Sequence, residues 1–161
     1  MAISRHDSRG AHGRPGFTLL ELILVMAILA VVAAIVSPRY ASSMSRYRAQ
    51  AAAWRIRADL ELARSSARTT GASQSVVFDL DANSYELTDL ADSDRPSQTY
   101  TVALADDPYD AELVSADFGG SDEVTFNGFG TPASGGKVVV VSGGVYMTVV
   151  LDGETGQVSV E

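Results

Sequence analysis

The 161-residue chain carries 20 Asp and Glu against 12 Lys and Arg, a net charge of -8, and no cysteine. Its length allows one modest domain plus an appendage, and the missing cysteines exclude disulfides and thiolate metal sites. The charge is segregated: seven Arg face Asp59 and Glu61 between Arg39 and Arg68, whereas Arg95 and Lys137 face sixteen acids from Ala72 onward, which disfavours nucleic acid as a partner of the C-terminal part.

In chain order, residues 1–16 are polar, with Arg5, Arg9 and Arg14 against Asp7. The twenty residues from Phe17 to Val36 then contain a single charge, Glu21. As a helix they extend about 30 Å, one hydrocarbon thickness. An ordinary secretory signal would lose its apolar core after a small-x-small site. This run is longer than such a core, and Ser37-Pro38-Arg39 follows it instead. Arg39, Arg46 and Arg48 flank its far end, so the positive-inside rule leaves the orientation open.

The residues Arg14-Pro15-Gly16-Phe17-Thr18-Leu19-Leu20-Glu21-Leu22 that open the run resemble the N-terminal motif of the type IV pilin and type II secretion pseudopilin superfamily. The resemblance implies a leader of residues 1–16, a prepilin peptidase cut between Gly16 and Phe17, N-methylation of Phe17, and retention of 17–36 as a transmembrane and assembly helix. Glu21 becomes the fifth mature residue, where the family keeps its acid. Pro38 becomes the twenty-second, a place where many members carry a proline and the helix bends. The implied partners are other pseudopilins through the N-terminal helix, the peptidase, and an inner-membrane assembly platform.

A carboxylate inside an apolar span costs about 2.5–3.5 kcal/mol at mid-bilayer and less near the edge. Glu21 therefore either reaches back to the headgroups or finds a partner. The partner available after cleavage is the α-amino group of Phe17 on a neighbouring subunit, mostly cationic at neutral pH with a pKa of about 7.7–8.0. Pairing would neutralise both groups and set the register between subunits.

No strong breaker separates Pro38 from Gly71, so residues 37–71 read as an amphipathic continuation of the helix, ended by Gly71. Ala53, Ile56, Leu60, Ala63 and Ala67 recur at three- and four-residue steps, an apolar stripe suited to lie on a sheet. Trp54 beside it reads as core. Arg57, Glu61, Arg64 and Arg68 form a polar face, with Arg57–Glu61 and Glu61–Arg64 within pairing reach.

Residues 72–161 read as a β-rich domain. Ser75–Leu80 and Tyr85–Thr88 flank the turn Asp81-Ala-Asn-Ser84, and Thr99–Leu104 and Val124–Phe126 are further strands. Lys137–Val141, Val145–Leu151 and Gln157–Val160 make a closing meander, with exposed loops at Asp89–Pro96 and Ala105–Asp110. The fold class is thus α+β: a long N-terminal helix, transmembrane in its first half, packed on a C-terminal antiparallel β-sheet domain, pilin-like. The helix running directly into a strand, the Phe126-Asn-Gly-Phe-Gly130 turn and the terminal Asp152-Gly-Glu-Thr-Gly156 turn resemble the GspH/FimT branch. That resemblance implies a minor pseudopilin, single-pass in the inner membrane with its β domain in the periplasm, which assists protein export.

Both histidines, His6 and His12, fall in the leader. A mature chain without His or Cys has no Ser-His-Asp triad, Cys-His pair or typical zinc site, so no enzyme activity, metal or cofactor is assigned. Asp106, Asp107 and Asp110 offer oxygen ligands that suit a hard cation, but without EF-hand spacing. The alternative reading is a minor type IV pilin of the FimT kind, acting in pilus assembly or DNA uptake. The second role calls for a basic patch that the acidic β domain lacks.

Overall fold

A computed structural model of the protein describes residues 16–91 and 98–161; the side chains at 35–41, 89 and 91 lie outside that description. The order of elements is α1 (Leu19–Thr70), β1 (Gln74–Asp79), β2 (Ser84–Ala91), β3 (Thr99–Ala103), β4 (Glu112–Asp117), β5 (Glu123–Phe126), β6 (Gly136–Ser142), β7 (Val145–Leu151) and β8 (Val158–Val160). The chain divides into two compact units, Met1–Arg39 and Tyr40–Glu161, and α1 contributes to both.

In the first unit every described side chain from Phe17 to Ala34 is exposed. Among the described residues no helix is long and apolar enough to cross a membrane. The last two residues of the Phe17–Val36 run fall where side chains are not described.

In the second unit α1 buries the stripe expected from its periodicity: Ala53, Ile56, Leu60, Ala63 and Ala67 are all inaccessible, joined by Ala49 and Ala52. Alanines dominate this face, and a side chain that ends at Cβ lets the helix backbone approach the strands closely. Gly71 ends the helix with φ +67°, a left-handed conformation that an L side chain resists, while its N–H closes the last turn on the Ala67 carbonyl at 2.9 Å.

Two four-stranded antiparallel sheets complete the unit, ordered β3-β2-β1-β5 and β4-β6-β7-β8. The expected hairpin forms β1 and β2 in the register Phe78–Tyr85 and Asp79–Ser84. The closing meander appears as β6-β7-β8. Asn83, in the hairpin turn with φ +49°, ties the sheets together. Its side-chain oxygen accepts the Leu113 N–H, and its carbonyl accepts the Leu104 N–H, both at 2.8 Å. A single apolar cluster joins the helix stripe to Val76, Phe78, Tyr85 and Val124 of the first sheet and Val138, Val140 and Val149 of the second. The Phe78 ring lies 5.4 Å from Tyr85 and 5.6 Å from Phe118, bridging the two sheets at the centre of the core.

Two expectations need correction, and one strand was not foreseen. Trp54 is not core: it is 48% exposed, one residue off the stripe, with the Arg57 guanidinium 4.9 Å over its ring. The loop expected from Asp89 is strand as far as Ala91, and residues 92–97 lie outside the described part. β4 occupies a stretch with no strand signal, because a register shift between Leu113 and Ser115 breaks its alternation.

Candidate assembly site

The residues singled out for processing and assembly sit at the start of α1. Gly16 and Phe17 are exposed and precede the helix, with Phe17 80% accessible. Thr18 is the N-cap: its side-chain oxygen accepts the Glu21 N–H at 3.2 Å, and its carbonyl accepts the Leu22 N–H at 3.1 Å. Glu21 is therefore the third helical residue, the acidic position of a capping box, and its charge lies in the first turn, where the helix dipole favours an anion. The Thr-x-x-Glu spacing thus starts the helix and places one carboxylate in its first turn. Glu21 is itself exposed, among apolar neighbours that are exposed too. Pro38, the position of the expected bend, lies within the continuous helix Leu19–Thr70, its side chain outside the description, and residues 1–15 of the expected leader lie outside the described residues.

The β-bearing unit is fastened to its helix by two polar devices. Asp59 is 4% exposed on the buried face of α1. One of its oxygens accepts the Tyr85 hydroxyl at 2.6 Å and the Arg55 Nε–H at 2.9 Å. The other accepts the Tyr100 hydroxyl at 3.1 Å, and an Arg55 terminal nitrogen donates to the same hydroxyl. One helical carboxylate thereby holds β2 and β3. Burial first, and then the Asp59 charge, raise the pKa of both tyrosines. For Arg55 burial works against the charge, but Asp59 with Tyr100 and Tyr85 outweighs it, and the net direction is upward. This site was legible only as an anomaly, an acid three residues after Ile56 and four before Ala63 on an otherwise apolar face.

Arg64 is the second device, and it corrects the expected reach from Arg64 to Glu61. It does not pair with Glu61; it donates to the carbonyls of Gly130 at 3.2 Å, Gly156 at 3.0 Å and Thr155 at 2.7 Å. The Phe126–Gly130 and Asp152–Gly156 turns are thus both pinned to the helix by one guanidinium. In the Asp152 turn, the carboxylate accepts the N–H groups of Glu154 and Thr155 and the Thr155 hydroxyl, which holds its pKa below the usual range. Arg57 does pair with Glu61, at 3.0 Å, as its spacing suggested.

The acidic loop after β3 is likewise claimed from within. Arg48 donates to Asp110 at 2.6 Å and lies 3.9 Å from Asp107. Among the described residues no group of three or more His, Asp or Glu side chains could hold a metal ion.

An apolar N-terminal helix segment and a helix packed on antiparallel strands together define a pilin-like subunit. The family model for the prokaryotic N-terminal methylation motif matches residues 12–37, and the model described as type II transport protein GspH matches residues 52–156. The chain belongs to the GspH family, within the type IV pilin and pseudopilin superfamily, whose members are structural subunits that assemble with other pilins. Its fold is similar to that of the type IV minor pilin FimU of Pseudomonas aeruginosa. One crystal form gives a TM-score of 0.51 at 19% identity, covering 72% of this chain and 90% of FimU. A second gives 0.50 at 18%, covering 70% and 91%. No curated protein matches the sequence.

Proposed function

We propose that the protein is a minor pseudopilin of a type II secretion apparatus, whose work is assembly rather than catalysis. The observation that carries this reading is the union, in one chain, of the Arg14–Leu22 motif at the mouth of an exposed apolar helix with a GspH domain over residues 52–156. The leader, residues 1–16, is removed by a prepilin peptidase, and Phe17 becomes a methylated N-terminus. Residues 17–36 hold the subunit in the inner membrane, residues 37–71 continue the helix with a bend at Pro38, and residues 72–161 form a periplasmic β domain. An inner-membrane platform then lifts the subunit into a short filament. Glu21 pairs with the Phe17 amine of a neighbour, which removes two charges from a dry helix bundle that would tolerate neither alone.

Mass spectrometry of the mature protein tests the first step: methyl-Phe17 at the N-terminus is the expected result, and an intact Met1 or a cut beyond Val36 refutes it. Deletion of the gene tests the system. Failure to export folded proteins places the subunit in a secretion apparatus. Loss of surface pili with secretion intact places it in a type IV pilus instead. DNA uptake is the weakest role, because sixteen acids against two bases from Ala72 onward repel a phosphate backbone.

A further inference from the structure

The chain holds two asparagines, Asn83 and Asn127, and only Asn127 is followed by glycine. In such a pair the side-chain carbonyl carbon can close a five-membered ring with the next backbone nitrogen. Glycine has no Cβ to obstruct that approach, and a fixed geometry turns the attack into an intramolecular step. Here the pair lies in the turn between β5 and β6, apart from the processing and assembly residues, and the turn is built around the groups that would react.

The Asn127 side chain is exposed to water. Its Oδ1 accepts the Phe129 N–H at 2.9 Å and the Thr131 N–H at 3.0 Å. Two backbone donors on one carbonyl oxygen draw electrons from Cγ and hold the charge that develops on that oxygen when a nucleophile adds, as in an oxyanion hole. Among the described residues neither Asn127 Nδ2 nor the Gly128 N–H donates to a protein group. No hydrogen bond must break to release the amide or to free the nucleophile.

Asn83 is placed differently. It is half-buried, its Oδ1 accepts a single N–H, from Leu113 at 2.8 Å, and the residue after it, Ser84, carries a Cβ and pairs with Asp79 in the β1–β2 ladder.

The backbone around Asn127 is locked on both sides. The Asn127 N–H donates to the Thr131 carbonyl at 3.0 Å, the Gly130 N–H returns to the Asn127 carbonyl at 2.7 Å, and Arg64 holds the Gly130 carbonyl. A Cβ built on Gly128 would lie 2.4 Å from the Gly71 carbonyl oxygen, so Gly128 stands hard against the end of α1. This turn has no slack for a longer backbone.

We propose that Asn127 is a self-modification site: in the folded protein it deamidates to aspartate through a cyclic imide with Gly128, and the turn returns the normally linked product. The Gly128 nitrogen gives its proton to water and bonds to Cγ; Nδ2 takes up a proton and leaves as ammonia, which closes a succinimide. Water then adds to one of the two imide carbonyls. Addition at Cγ breaks the new bond and leaves a carboxylate on an unaltered backbone. Addition at the main-chain carbonyl breaks the original peptide bond and routes the chain through Cβ and Cγ, one carbon longer, which the contacts with Gly71 and Arg64 oppose. In sum, one amide and one water become one carboxylate and one ammonium, with no oxidation. The carboxylate keeps both N–H donors as charge-assisted bonds, so the turn persists with one more negative charge.

The test ages the full-length protein in mild detergent at mildly alkaline pH, folded or in urea, and follows both asparagines by peptide mass spectrometry. In the folded sample Asn127 should deamidate more than about tenfold faster than Asn83, within the 10²–10³ that one oxyanion donor supplies. Isoaspartyl methyltransferase, which labels only the lengthened linkage, should label the folded sample far less per deamidated residue than the sample aged in urea. Asn127→Asp should unfold at the parent's urea midpoint. An Asn127 that keeps its amide as long as Asn83 does overturns the reactive turn. Equal labelling of the two samples overturns the returned linkage, and a lowered midpoint in Asn127→Asp shows that the turn does not hold the carboxylate.

Discussion

Replacing Asp59 by Ala should damage the β-bearing unit more than any other single change of charge on its helix. The carboxylate is 4% exposed and accepts from Tyr85, Tyr100 and Arg55. Its removal leaves a buried tyrosine hydroxyl without an acceptor and a half-buried guanidinium without a counter-charge. Breaking a buried pair from one side costs about 3–5 kcal/mol, a large share of a domain stability of about 5–15 kcal/mol. Arg57→Ala supplies the control on the same helix: its pair with Glu61 is 3.0 Å long and half-exposed, worth about 0.5 kcal/mol, and its place over the Trp54 ring adds at most about 1 kcal/mol. The assay is urea unfolding of the full-length protein in mild detergent, followed by near-ultraviolet circular dichroism, with slopes compared to confirm a common denatured state. Tyr85→Phe alone should cost about 1.5–3 kcal/mol, the range for a hydrogen bond to a charged group. The Tyr85→Phe/Asp59→Ala double variant should be less unstable than the sum, because the second change removes an orphan created by the first. Equal stability of Asp59→Ala and Arg57→Ala would show that the carboxylate does not fasten the helix to the sheet.

Tyr85 and Tyr100 have pKa values raised by burial and by Asp59, so the native state holds their protons longer than the unfolded state does. That contribution is complete below the unfolded tyrosine pKa of about 10 and is lost as pH climbs from there toward the folded values. Stability should fall above about pH 10, and Tyr85→Phe should flatten the fall, as read by urea midpoints across the alkaline range. Arg64→Ala should cost about 2 kcal/mol and raise amide exchange at residues 127–131 and 153–157 together, since its three acceptors span both turns; protection lost in one turn only would contradict the shared clamp. Glu21→Gln keeps a capping-box residue but removes the charge, and should leave membrane levels unchanged while abolishing incorporation into the filament; normal incorporation would rule out the pairing with Phe17.

What the sequence disclosed and what it hid follow from the range of the interactions. The stripe from Ala53 to Ala67, the stop at Gly71 and the β6-β7-β8 meander are set by neighbours within a few residues, and periodicity or turn chemistry reveals them. The Arg14–Leu22 motif is local too, and the helix start within it is written in consecutive residues, Thr18 capping the N–H of Glu21. Trp54 was misplaced because aromatic character favours burial on average, while the helix phase puts it one step off the stripe. Arg64 was read with its helical neighbour Glu61 because spacing shows only intrahelical partners; its actual acceptors are 66, 91 and 92 residues away. The partners of Asp59 at Tyr85 and Tyr100 are equally remote in the chain, although an acid on an apolar face already demanded some partner.

This division separates two classes of variant. Asp59 and Arg64 point inward or back along the unit and tie helix, sheet and turns into one body, so changes there act on stability. Trp54 and Phe129 are exposed, and neither contributes to the apolar cluster that joins helix and sheets, so changes there should leave the unfolding midpoint within about 0.5 kcal/mol of the parent. Trp54→Ser and Phe129→Ser are therefore expected to yield stably folded chains, as read by the same urea midpoints. If either lost folding stability comparable to Asp59→Ala, its ring would be packed against its own domain, and the separation of inward from outward residues would fail.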